Sequence, residues 1–123
     1  MANPNIVNVT SIYGNTSYLI PTGTSATTWT ALTPASGTVN KIDNIVAANV
    51  TGSAATITVA INSAAAGAGT NYRLIYQVSV PANAAIVVAD KSTAFYLGEA
   101  QSIVVTSGTA SAIELTASYE AIT

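Results

Sequence analysis

The run Thr56-Ile57-Thr58-Val59-Ala60-Ile61 decides the fold class. Ile57, Val59 and Ile61 point one way while Thr56 and Thr58 point the other, the period of two that a half-buried strand requires. The same alternation recurs on either side. Towards the end of the chain, Ile113, Leu115, Ala117 and Tyr119 share one face, and Glu114, Thr116, Ser118 and Glu120 share the opposite one, so this strand has one wet side. Tyr72, Leu74, Tyr76, Val78 and Val80 alternate with Arg73, Ile75, Gln77 and Ser79. In segment 39–50 the pattern places Ile42, Val46, Ala48 and Val50 together. Val, Ile and Thr lose side-chain freedom in a helix and fit a pleated surface, so helix is disfavoured nearly everywhere.

Gly, Pro, Asn and Asp punctuate these runs at Tyr13-Gly14-Asn15, Pro21-Thr22-Gly23, Thr51-Gly52-Ser53, Pro81-Ala82-Asn83 and Ser107-Gly108-Thr109, among others. The spacing predicts strands over 5–12, 17–20, 26–32, 38–50, 54–62, 70–80, 84–89, 94–97, 101–106 and 111–120. The Ala64–Gly69 stretch is too short and too rich in Gly for a helix, and reads as a flexible loop. A chain of 123 residues fits one domain. The expectation is an all-β, two-sheet antiparallel β-sandwich of about eight to ten short strands, either jelly roll or Ig-like. Residues 1–123 form its single domain. Residues 1–30 are an expected extended N-terminal arm, because Asn3-Pro4-Asn5 and Tyr13-Gly14-Asn15 permit conformations outside a core.

Charge is scarce. Three cations and five carboxylates make up 7% of the residues, where ~25% is usual. Lys41, Arg73 and Lys91 cannot build a phosphate-binding stripe or a polybasic membrane patch, so neither nucleic acid nor membrane is an expected partner. No apolar run approaches the ~20 residues of a membrane-spanning helix. The beginning of the chain lacks the basic and apolar regions of a signal peptide, so synthesis in a cytoplasm without export by the common route is expected. The chain has neither Cys nor His. A disulfide framework is therefore excluded, and zinc or copper sites are not expected.

The chemical inventory is thin. No cofactor or metal is expected, no catalytic residue is assigned, and an enzyme is the least favoured class. The carboxylates Asp43, Asp90, Glu99, Glu114 and Glu120 do not fall within one calcium-binding loop. Asp90 and Glu99 are the pair that a short intervening strand would bring to one end of the sandwich. Glu114 and Glu120 share a strand face but stand roughly 20 Å apart at strand rise, too far to act on one glycosidic bond. Lys91 and Ser92 are adjacent and would point apart on a strand, so a polar turn is the better reading than a Ser-Lys dyad. The sequons at Asn8, Asn15 and Asn49 fit chance in a chain full of Asn, Thr and Ser. Aromatic side chains carry more weight, since Tyr and Trp offer a large apolar body with a polar tip. Trp29, within Thr27-Thr28-Trp29-Thr30, suits core packing first, then an intersubunit anchor, then sugar stacking. With Tyr13 and Tyr18 it completes the set of candidate subunit-contact residues.

Several stretches together resemble small virion proteins of tailed bacteriophages, especially phages of marine bacteria and cyanobacteria. They are Asn5-Ile6-Val7-Asn8-Val9-Thr10-Ser11-Ile12, the run from Lys41 to Val50, the strand Ala54–Asn62 with its Gly-containing loop to Tyr72, Ser79 to Ala84, Val88 to Ser92, Tyr96-Leu97-Gly98-Glu99 and the closing Ser118-Tyr119-Glu120. The resemblance implies a virion β-sandwich and carries over no functional residue. A non-enzymatic capsid decoration or cement protein that stabilises the phage head shell is the expected function. The expected partners are the major capsid protein or other virion subunits, with homo-oligomerisation, a trimer included, and localisation in the virion. The alternatives are a tail or fibre component that binds host glycan or receptor, and an extracellular filament subunit assembled by strand donation. The composition points the same way, because strand edges that lack charge need covering.

Overall fold

A computed structural model describes residues 4–123. Among the described residues, nine strands form two antiparallel sheets. In chain order they are β1 (Ile12–Leu19), β2 (Thr27–Thr28), β3 (Val39–Asn49), β4 (Ala55–Asn62), β5 (Asn71–Val80), β6 (Ala85–Ala89), β7 (Phe95–Leu97), β8 (Ser102–Ser107) and β9 (Ile113–Ile122). The first sheet runs β1-β9-β3-β6, with β7 following β6 along the same side of β3. The second runs β2-β8-β4-β5.

The pairs are nested. β1 pairs with β9, β2 with β8, β3 with β6 and β7, and β4 with β5, all antiparallel. The chain is thus one long hairpin whose arms then roll together, as β9 adds to β3 and β8 adds to β4. That order is a jelly roll and not an Ig fold.

Alternation places the core where the sequence indicates for β4 and β9, and β8 is buried along most of its length. Ile57 and Val59, Ile103 and Val105, and Ile113, Leu115 and Ala117 are fully buried, whereas Glu114 and Thr116 are exposed. One hydrophobic cluster joins these residues to Trp29, Leu32, Ile42, Ile45 and Leu97 across both sheets. Each fully buried Ile, Leu or Val contributes about 1.5–3 kcal/mol.

β3 departs from strict alternation. Its register against β9 slips between Ile42 and Asn44, leaving Asp43 as an extra residue. A bulge of this kind reverses the faces that follow it. Ile45, Ala47 and Asn49 therefore turn inward, and Val46, Ala48 and Val50, which alternation had grouped with buried Ile42, turn outward. Asn44 Oδ1 holds the bulge by accepting from the Ser118 N–H at 3.1 Å.

The first thirty residues also differ from expectation. No strand covers 5–12, and Tyr13-Gly14-Asn15 lies inside β1 instead of breaking the chain. An unbroken ladder from Ile12 opposite Ile122 to Leu19 opposite Leu115 outweighs the local turn signal. The expected strand over 26–32 shrinks to β2 because a 3-10 turn at Thr30–Leu32 buries Leu32. Residues 12–28 are therefore not an extended arm. The Thr10 and Ser11 N–H groups already donate to the Thr123 carbonyl, so among the described residues only 4–9 lead into the sheet unpaired with it. Met1–Asn3 of the expected arm lie outside the described residues.

The loop after β4 is pinned rather than flexible. Buried Asn62 accepts from the Ala64 and Gly69 N–H groups at 2.9 Å each, and donates to the Gly69 carbonyl and to Asn71 Oδ1. Hydroxyls of Ser102, Thr33 and Thr28 donate to the carbonyls of Ala64, Ala65 and Ala66. Gly67 sits at φ +77 against the Thr28 side chain, where a Cβ would have no room.

The bulge makes a sharp prediction. Ile45→Ala costs about 2–5 kcal/mol in urea unfolding, as full burial demands. Val46→Ala costs less than about 1 kcal/mol. Equal losses at the two positions would contradict this inward phase of Ile45. Asn62→Ala leaves two loop N–H groups unmet, at about 1–3 kcal/mol each if they stay dry.

Candidate interaction surfaces

Of the readings open for Trp29, the structure takes core packing and sets aside the subunit anchor. Trp29 is 2% exposed, and its Nε1–H donates to the Ser17 hydroxyl of β1 at 3.1 Å. Its polar neighbours mislead because β2 ends beside it and the 3-10 turn folds it inward. Trp29 is a core residue that ties β1 to the second sheet, and it is not available as a surface anchor.

Tyr13 and Tyr18 are surface residues, 66% and 78% exposed. Both lie on β1, an edge of the first sheet. The unbroken register puts them on opposite faces of that strand, since Ser17 and Leu19 share the inward parity of Tyr13.

The remaining exposed tyrosines follow a rule that the sequence does not reveal. Tyr72 and Tyr76 are on β5, the edge of the second sheet, and Tyr96 is on β7, which shares the far edge of the first. Every exposed tyrosine among the described residues thus occupies an edge strand. Tyr119, on central β9, is half-buried, and its hydroxyl donates to the Ala31 carbonyl. The rings run along strand edges and are not gathered at one loop end, as a loop-built sugar platform requires. Sequence reasoning singled out two of these five residues. The alternation around Tyr72 and Tyr76 was visible, but an edge strand is recognised only from the strand order.

The edges themselves are guarded without much charge. β2 has two residues and β7 three. β5 shifts register twice against β4, near Ile57–Val59 and again at Val59–Ala60, and Gln77 within it takes φ +48. Short and bulged edges resist pairing with another chain.

The outer face of the first sheet carries an open groove of about 790 Å³. Gly14, Thr16 and Ser118 line it with little bulk, and Lys41, Asp43, Asp90, Lys91 and Glu120 supply charge. Five of the eight charged residues therefore meet at one surface. Lys41 Nζ stands 4.0 Å from both Asp43 Oδ1 and Glu120 Oε2, a pair of long, half-exposed ion contacts. Such contacts contribute at most about 1 kcal/mol.

Asp90 and Glu99 do not share a site. Asp90 Oδ1 accepts from the Ser92 hydroxyl at 2.6 Å and from the N–H groups of Ser92 and Thr93, while Thr93 Oγ1 accepts from the Asp90 N–H. This is a capping box on a 3-10 turn at Lys91–Thr93. It directs the Ser92 hydroxyl at a carboxylate and not at Lys91, so these two form no dyad. The Glu99 carboxylate accepts from the Gly37 N–H at 2.7 Å. Among the described residues, no three carboxylates gather as a metal site. The sequon residue Asn49 is buried, donating to the Ser53 and Val80 carbonyls and accepting from Thr51, which closes it to glycosylation.

Two predictions follow from these environments. The Ser92 hydrogen bonds hold the Asp90 carboxyl below the ordinary aspartate value, and the Gly37 N–H does the same for Glu99. A carboxyl depressed in the folded state contributes stability above its unfolded pKa and loses it as the pH falls through the folded value. Thermal stability therefore declines in the acid range below pH ~4. Asp90→Asn and Glu99→Gln each flatten that decline in melts across pH, and an unchanged acid limb would contradict the assignment. Secondly, emission from Trp29, the single tryptophan, stays constant when the protein joins any larger assembly. A shift on assembly would return Trp29 to the interface.

No family model matches the chain, and no curated protein does. Among solved structures it is similar to the virus-like particle of the extra small virus of the giant freshwater prawn Macrobrachium rosenbergii, determined by cryo-EM. The TM-score is 0.42 at 16% identity, over 98% of this chain and 86% of that one. The jelly-roll assignment rests on the strand order itself and not on this likeness.

Proposed function

We propose that this chain is a non-enzymatic structural subunit of a virus particle, and specifically a decoration or cement protein on the head shell of a tailed bacteriophage. The placement of all five exposed tyrosines on edge strands carries this reading. A solitary protein can blunt its edges with charge, short strands or bulges. This one puts large amphipathic rings there, the residue type enriched where proteins meet. With a net charge of −2, the surface also offers little repulsion between copies. A rigid jelly roll with sticky edges binds neighbouring shell subunits without chemistry, and the phage resemblance supplies the kind of shell.

In this reading the contacts come from β1, with Tyr13 and Tyr18, and from the leading residues 4–9, where Ile6 and Val7 are exposed. A second reading, a tail or fibre component that binds host glycan, would have to use these rings along a strand edge, since they do not gather at one loop end. The filament alternative draws less support, because β1 completes the chain's own first sheet through its ladder with β9. A strand-donating subunit has to give up such a strand.

The test mixes the purified protein with shells that lack it and follows binding by mass photometry and sedimentation. Saturable binding at a fixed stoichiometry is expected. The double variant Tyr13→Ser with Tyr18→Ser, and a truncation that removes residues 1–9, should each weaken binding at least about tenfold while the far-ultraviolet spectrum stays that of the folded sandwich. A protein that ignores shells but is retained on a glycan array, with retention lost in the tyrosine variant, would replace the decoration reading with the fibre one.

A further inference from the structure

We infer that the groove on the outer face of the first sheet receives β5 of a second copy of this chain, with Arg73 of one copy set against the groove carboxylates of the next. The inference rests on the particle-subunit reading and specifies how copies meet.

In the groove, Lys41 and Lys91 face Asp43, Asp90 and Glu120, which leaves one negative charge in excess. Glu114, exposed on the same outer face of β9, adds a second. The one remaining cation of the chain, Arg73, lies on β5 in the other sheet. Among the described residues it has no carboxylate partner, and its guanidinium lies 5.0 Å from the centre of the Tyr76 ring. The molecule is therefore negative on one sheet and positive at the far edge of the other. Like faces repel and unlike faces attract.

The side chains around Arg73 suit a contact. Tyr72, Leu74 and Tyr76 are exposed in an otherwise bulged strand. The double register shift prevents β5 from simply extending a neighbour's sheet, so its contact is made by side chains and not by an added ladder. The groove, with Gly14, Thr16 and Ser118 in its lining, leaves room for those rings. A contact between two different surfaces is heterologous. It closes into a ring or continues as an open array, and it does not stop at a two-fold dimer.

The test is charge reversal and rescue in the full chain. Sedimentation velocity over a concentration series reads the self-association of wild type, Arg73→Glu, Glu120→Lys and the double variant. Each single change should weaken association about tenfold, and the double change should recover most of it. Thermal melts of the same samples should keep the wild-type midpoint. The chain has no cysteine, so a second measurement gives direction. Under oxidation, a mixture of Thr16→Cys and Leu74→Cys proteins should form disulfide-linked heterodimers, while neither protein alone forms homodimers. Thr16→Cys homodimers would show a face-to-face contact and overturn the inference. Association that neither charge variant alters would also overturn it, and would leave the particle reading standing. A wild type that stays monomeric in solution and does not bind shells overturns both. Amide shifts confined to Thr16 and Ser118 on titration with a neutral oligosaccharide, without self-association, would assign the groove to a sugar instead.

Discussion

β9 is hydrogen-bonded on both sides, and the rest of the molecule depends on those two ladders. On one side it meets β1 residue for residue, from Ile12 opposite Ile122 to Leu19 opposite Leu115. On the other it meets β3 with one extra residue at Asp43. Ile113, Leu115 and Ala117 of β9 face the core, so each neighbour is locked in phase with them. Ser17 and Leu19 turn inward on β1, and Ile45 and Ala47 on β3. A slip of one residue in either ladder would turn these side chains to water and bring Tyr18 or Val46 into the core. The Trp29 indole then reaches the Ser17 hydroxyl only because the β1 ladder holds that serine inward.

A second constraint is the scarcity of charge, and it acts on the edges and the interior alike. Edges that charge would normally protect are instead shortened at β2 and β7, bulged at β5, and furnished with tyrosine. Inside, amides take the place of ion pairs. Asn49 and Asn62 are almost wholly buried, and each satisfies several backbone groups of the loop that leaves its strand. Asn40 is less complete. Its amide N–H donates to the Leu32 carbonyl at 2.9 Å, but its Oδ1 has no partner among the described residues. A composition rich in Asn, Ser and Thr thus serves as internal fastening as well as wet surface.

The gathering of five charged residues on one face follows from the same ladders. Lys41, Asp43 and Glu120 are far apart in the chain, and they meet because Lys41 lies directly opposite Glu120 across the β3–β9 ladder. Asp90 and Lys91 join them because β6 lies on the other side of β3. The groove is therefore a product of strand order. No motif in the sequence could have announced it.

By itself, the sequence determined the strands from residue 38 onward, the inward faces of β4 and β9, and the all-β sandwich. Alternation is a local property of the side chains, and it survives wherever one face of a strand is buried. It also held a muted sign of the bulge, since polar Asn44 falls where strict alternation from Ile42 needs an apolar residue. Only the tertiary structure decided the rest. It chose jelly roll over Ig-like, moved β1 across the apparent break at Gly14-Asn15, buried Trp29, and ranked Tyr13, Tyr18, Tyr72, Tyr76 and Tyr96 as edge residues. Each of these depends on which strands lie side by side. That is set by pairing between residues distant in the chain, and it leaves no mark on the period of any one strand.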